Sequence, residues 1–281
     1  MQRRRRTERK HTRTGGGFAT RVMLFFSAVI ILAGIANRFT GGDELTATVL
    51  ATPSPTPLTA AFDETVETRE ISLPAEVWYC LQSGIFSSEA AAREKSLAYS
   101  DRGAPGFVSP EGGKFRVLLS AYASREDAQR VKEKLAGQQS VETYIYEMVR
   151  PALHLQLTGM RGQLDVLDAA AALLPELAQS WRETALALDQ GQTSLTEVQE
   201  LAAEQQEQCH VMLNVLQERF LSPMPTLPQQ LQALLTQAEA SARRVQDAVG
   251  QGRTAASAQL KMEALAGHQA LKDVWETILA E

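Results

Sequence analysis

Cysteine is nearly absent: Cys80 and Cys209 are the only two in 281 residues. Two thiols in different segments make no disulfide framework, and no metal-ligand spacing surrounds either. The four histidines, His11, His154, His210 and His268, stand singly, so no HExxH or comparable zinc pattern can be written. GxSxG, a Walker loop and GxGxxG are also missing. These absences leave no recognisable active site and point to a protein that is no enzyme and needs no cofactor. Positive charge is scarce beyond the N-terminus. Residues 1–21 hold eight Lys/Arg against the single Glu8, a net +7, while the rest carries 20 Lys/Arg and 32 Asp/Glu, a net −12. So acidic a body argues against a phosphate-backbone partner, and no nucleic acid is expected.

What is present begins with an uncharged run, "VMLFFSAVIILAGIA" at 22–36, directly after the arginines. As a helix it rises about 22 Å, short of a hydrocarbon core of about 30 Å. Arg21 and Arg38 can snorkel to make up the difference. We read 1–21 as a basic cytoplasmic tail and 22–39 as a single-pass transmembrane anchor, with the C-terminal domains on the outer side of the cell membrane. The rival reading is a cleaved signal peptide, because "GIA" at 34–36 offers small residues. Residues 40–75, with "TPSPTP" at 52–57, read as a Pro/Thr-rich linker in extended form.

From 76 to 148 strand and helix signals alternate. Strands are expected at 76–83, 106–110, 114–122 and 141–148, and helices at 87–100 and 124–137, the latter capped by Ser124. The order is β-α-β-β-α-β, the split βαβ arrangement. "LQSGIFSSEAAAREK" (81–95) and "LLSAYASREDAQRVK" (118–132) look alike because each is a strand-to-helix corner of one half. From 149 to 281 the pattern is helical. Leu153, Leu157, Met160, Leu164, Leu167, Ala171 and Leu174 form a seam, Pro175 is expected to kink it, and "SLTE" at 194–197 is a capping box. Breaks at 222–228 and 250–252 divide the segment into a four-helix bundle. The fold class is therefore α+β, with an all-α C-terminal domain.

Strand alternation places Val77, Tyr79 and Leu81 on one face of the sheet with Phe115, Val117 and Leu119. Two helices cover one face. The other is expected to lie open, presenting Trp78, Gln82, Arg116, Tyr144 and Tyr146, with Leu118 and Ser120 between them. Rings beside amide and guanidinium donors suit a sugar chain; the bland alternative is that tyrosines favour outer strands anyway.

"YCLQSGIFSSEAAA" (79–92) followed by "FRVLLSAYASREDA" (115–128) resembles the SPOR domain, the sporulation-related repeat of bacterial envelope proteins. Its first corner, of the type V-Q-x-G-x-F, is matched by Leu81-Gln82-Ser83-Gly84-Ile85-Phe86. The second corner departs, with Ser120, Ala121 and Tyr122 where the family has Gly, Pro and Phe. The resemblance implies binding of peptidoglycan, in particular glycan strands stripped of peptides, with Gln82 at the matching sugar-binding position. The expected function is a non-catalytic envelope protein of division or sporulation. The alternative is an adaptor acting through self-association or partner binding of its bundle, and a wall hydrolase lacks any catalytic constellation.

Overall fold

The run Val77-Trp78-Tyr79-Cys80-Leu81 combines β-branched and aromatic side chains without a helical period, and it forms the middle of the longest strand. The computed structural model describes residues 65–280 apart from Asp101 and Ser140. The expected tail, the anchor at 22–39 and most of the linker lie outside them. No described helix is long and apolar enough to cross a membrane.

Six strands and six helices are described: β1 (Val66–Leu73), β2 (Glu76–Phe86), α1 (Glu89–Ser100), β3 (Phe107–Glu111), β4 (Lys114–Tyr122), α2 (Arg125–Gln139), β5 (Tyr144–Arg150), β6 (Leu153–Met160), α3 (Arg161–Asp189), α4 (Leu195–Arg219), α5 (Thr226–Val249) and α6 (Arg253–Ala280). The central sheet has the order β3-β4-β2-β5, all neighbours antiparallel. This is the expected split βαβ unit. Its helices lie on the expected face: Leu81, Tyr122 and Ala128 pack with Val131 and Leu135 of α2, while Val117 and Leu119 pack with Ala92 and Tyr99 of α1.

The pairing of β2 with β4 slips twice. Leu81 faces Ser120, Gln82 faces Leu118, and Gly84 faces Val117, so Leu119 and Ser83 are each an extra residue. Such bulges break strict alternation. Ser120 consequently leaves the face of Leu118, where simple alternation puts it, and joins Leu119 and Tyr122 on the helix side.

Two expectations about boundaries change. Residues 66–73, read as linker, form β1, and residues 153–160, read as helix, form β6. The two pair in full register from Val66–Met160 to Leu73–Leu153. Leu153, Leu155 and Leu157 of "LHLQL" alternate with period two, which outweighs the four-three spacing read across them. This ribbon continues the β2–β5 pair. The two ladders are separated by Pro74-Ala75 on one chain segment and Pro151-Ala152 directly opposite. Proline lacks the N–H that a ladder needs, and with Pro74 facing Ala152 and Pro151 facing Ala75, the two Pro-Ala pairs interrupt both strands over the same stretch. Arg69 then ties the ribbon to α3 through Asp165 at 2.7 Å.

The four long helices form the expected bundle, starting at 161 rather than 149. α3 runs through Pro175 without ending. The Ser194 capping box is present, with Glu197 N–H donating to Ser194 Oγ at 3.2 Å and Ser194 N–H to Glu197 Oε2 at 2.7 Å. α2 extends two residues past Gly137.

Candidate functional site

The sheet residues singled out above fall into two groups. Trp78 is completely buried. Its indole stacks on the His268 ring of α6, centroids 4.1 Å apart and planes 18° from parallel. The Arg182 guanidinium of α3 lies 4.5 Å from the same indole. The indole N–H donates to Glu76 Oε1 at 2.7 Å. Glu76 gathers the nearby charge: Arg150 donates to its Oε2 at 3.3 Å, Arg182 stands 4.0 Å from Oε1, and His268 Nδ1 is 3.8 Å from Oε2. Burial pushes the His268 pKa down; Glu76 opposes this, Arg150 and Arg182 reinforce it, and the result is about 4. At neutral pH the imidazole is therefore an uncharged flat ring against the indole.

The expectation of an open second face thus fails at Trp78. The cover comes from the C-terminal bundle. Trp78, Cys80, Leu118 and Met148 share one continuous core with Trp181, Leu188, Leu260 and Leu265 of α3 and α6. Ser109 of β3 donates to Gln269 of α6 at 2.8 Å, a buried polar clasp across the same junction. The signal was present in the sequence. Trp78, Cys80, Leu118 and Met148 are apolar, and so are Tyr79, Leu81 and Val117 on the opposite face, which is how a sheet buried on both sides reads. Size decides whether this cover is a lid or a core. Exposing Trp78, Leu118, Met148 and Leu265, at about 1.5–3 kcal/mol each, costs roughly 6–12 kcal/mol. A whole domain is stable by only about 5–15 kcal/mol. The bundle is a permanent part of the core.

The second group stays together at the margin of the sheet. Gln82 is sealed as well, at 6% exposure, and its Oε1 accepts from Arg116 Nη1 at 2.8 Å. Arg116 Nε donates to Glu111 Oε2 at 2.8 Å, and its guanidinium lies 4.4 Å from the Tyr146 ring centroid. The Tyr146 hydroxyl donates to Glu111 Oε1 at 2.7 Å. Four residues from β2, β3, β4 and β5 thus close one network. Burial alone would raise the Glu111 pKa, but hydrogen bonds from Tyr146 and Arg116, with the charges of Arg116 and Lys272, hold it below the usual carboxylate range. Burial and the bond to Glu111 push the Tyr146 phenol up, so it remains a donor. Tyr144, the ladder partner of Gln82, is 60% exposed.

Of the five residues read from the sequence, the structure therefore assembles Gln82, Arg116 and Tyr146, sets Tyr144 beside them in solvent, and removes Trp78 to the core. Glu111 lies just past the strand expected at 106–110; its place at the end of β3, opposite Lys114, is what brings it to Arg116. The margin offers a half-buried guanidinium and phenol and one bare aromatic ring, with the sealed Gln82 amide holding the guanidinium. It can hold a hydroxyl-rich ligand. It contains no nucleophile paired with a base, and among the described residues no three His, Cys, Asp or Glu side chains are placed to hold a metal.

The model of the SPOR domain family covers residues 77–146. No curated protein and no solved structure is significantly similar to the chain. The matched segment runs from the second residue of β2 to the third of β5, the four strands and two helices of the split βαβ unit. Residues 77–146 of this chain are a SPOR domain.

Proposed function

We propose that the chain is a non-catalytic binding protein of the bacterial envelope that holds the glycan strands of peptidoglycan at the open margin of its SPOR sheet. SPOR domains generally bind peptidoglycan, and the match at 77–146 is the observation that carries this reading. The margin supports it chemically. Tyr144 offers a ring face for sugar stacking, and Arg116 is held in place by Gln82, Glu111 and Tyr146 rather than left to find its geometry on binding. The ligand is glycan stripped of its peptides, as at division or sporulation sites. The arginine-rich tail and the uncharged run at 22–36 support a single-pass anchor with the N-terminus in the cytoplasm.

The bundle, on this reading, is structural: it fills the sheet face that would otherwise leave Trp78 bare. The adaptor reading loses ground for the same reason. Buried leucines of α3 and α6, with Val198 and Val245, are spent inside the chain, and the large apolar side chains left exposed on the described bundle, Leu221 and Leu279, stand singly.

Retention of the full chain, purified in detergent, on wall sacculi tests the proposal. Amidase-treated sacculi are expected to retain more protein than untreated ones. Equal and negligible retention on both overturns it.

A further inference from the structure

The helix side of the SPOR sheet carries a feature that the glycan margin does not use. A cleft of about 340 Å³ lies where α1, α2 and β4 meet the end of α3 and the start of α6. It stands in the lower part of the range for small-molecule sites, roughly 300–1,000 Å³, which suits a single sugar rather than a strand. Its existence depends on the register slip in β4 that turns Ser120 toward the helices. It also depends on Gly103, whose left-handed backbone lets the loop after α1 come within 3.3 Å of the Thr254 methyl group, measured from the place a Cβ would take.

Two properties of the wall point to a ligand. The first is a missing acceptor. Ser120 and Tyr122 both line the cleft, and each is more than nine-tenths buried. Their hydroxyls bond to each other at 3.1 Å. That single bond uses one of two hydroxyl hydrogens. Whichever donates, the other hydrogen has no acceptor among the described residues. Burial raises the Tyr122 pKa to about 12, so the phenol keeps its proton. In the cleft that spare hydrogen is open to water, and a ligand oxygen can take the water's place.

The second property is charge. Lys261 and Asp189 face the cleft and neutralise each other at 2.8 Å, with Lys261 also bound to the Gly103 carbonyl at 3.0 Å. Arg102 and Arg253 remain. Arg253 spends one nitrogen on the Leu188 carbonyl at 2.7 Å, and neither guanidinium has a carboxylate partner among the described residues. Two exposed guanidiniums with no carboxylate partner among the described residues, beside a hydroxyl with a hydrogen to spare and in a body of net charge −12 outside the first 21 residues, select an acid of low charge. A polyanion is repelled by that body; one carboxylate fits a guanidinium fork.

We propose that this cleft is a second binding site, for a sugar bearing one carboxylate, with Arg102 and Arg253 attracting the acid and the Ser120–Tyr122 pair donating to a sugar oxygen. That the ligand is a sugar rests on the glycan reading above. That it is acidic rests on the cleft alone.

Saturation-transfer NMR with the full chain tests it, using N-acetylmuramic acid and N-acetylglucosamine, which differ by the lactyl carboxylate. The acid is expected to bind at least tenfold more tightly than the neutral sugar. Arg102→Glu is expected to abolish its signal with an unchanged thermal midpoint, and Tyr122→Phe to weaken it several-fold. Equal binding of both sugars, or a signal that survives Arg102→Glu, overturns the proposal. So does a chain that sacculi retain but that gives no signal with the acid, which separates this failure from that of the wall-glycan reading. In the converse case the acid binds while sacculi retain nothing; the cleft then stands and the wall reading falls.

Discussion

Replacing His268 with phenylalanine isolates the junction between sheet and bundle. Phenylalanine keeps a flat ring against Trp78 and removes the imidazole; Glu76, Arg150 and Arg182 are the charged groups around it. In the folded chain His268 takes its proton only near pH 4, against an ordinary 6.5. Unfolding between these values takes up a proton, so stability is full above about 6.5, falls as the pH drops toward 4, and stays reduced below. At 1.36 kcal/mol per pH unit, the gap is worth about 3 kcal/mol. Urea unfolding followed by tryptophan fluorescence reads this directly, since Trp78, Trp181 and Trp275 are all buried. The free-energy difference between wild type and His268→Phe should shift by about 3 kcal/mol between pH 7.5 and pH 4, because the acid titration of carboxylates is common to both and cancels. A difference that stays constant across this range refutes the assignment of a neutral His268 in the core.

Three further outcomes follow from burial. Trp78→Ala should cost about 3–5 kcal/mol, as truncation of a buried aromatic does, and appear as a lowered thermal midpoint; a stable variant with impaired wall binding would contradict the buried position. Arg244→Ala leaves Glu263, which is 2% exposed, without the fork that donates to it at 2.6 and 2.8 Å, and should cost about 3 kcal/mol in urea unfolding. Cys80 and Cys209 are both buried, and burial raises both thiol pKa values, that of Cys209 to about 12; neither should react with a thiol reagent at pH 8 until denaturant is added, and rapid native labelling would show a more open core.

The SPOR unit was legible because its signals are local. Strand-to-helix corners and the Ser124 helix start depend on neighbours in sequence, as does the tight Gly112-Gly113 link between β3 and β4, both residues at positive φ. The bundle was legible for the same reason: four amphipathic runs separated by Pro- and Gly-containing breaks. What escaped depends on partners far along the chain. β1 has apolar residues at Val66, Ile71 and Leu73 alone, the first of them exposed, and becomes a strand because β6 lies beside it. The two Pro-Ala pairs are visible in the sequence, but their shared level is not. The slip that moves Ser120 across the sheet leaves no composition signal. The burial of Trp78 could have been read from two apolar faces on one strand; treating sheet and bundle as separate bodies hid it. Arg116 met Gln82 as alternation implies, while Glu111 required the β3–β4 pairing to be known.

The central claim is that wall glycan is held at the margin of the SPOR sheet and not on the face around Trp78. Retention of the full chain on amidase-treated sacculi, compared between wild type and the double variant Arg116→Ala/Tyr144→Ala at matched thermal midpoints, tests it most directly. At least a tenfold loss of retention is expected in the double variant. Retention equal to wild type contradicts it.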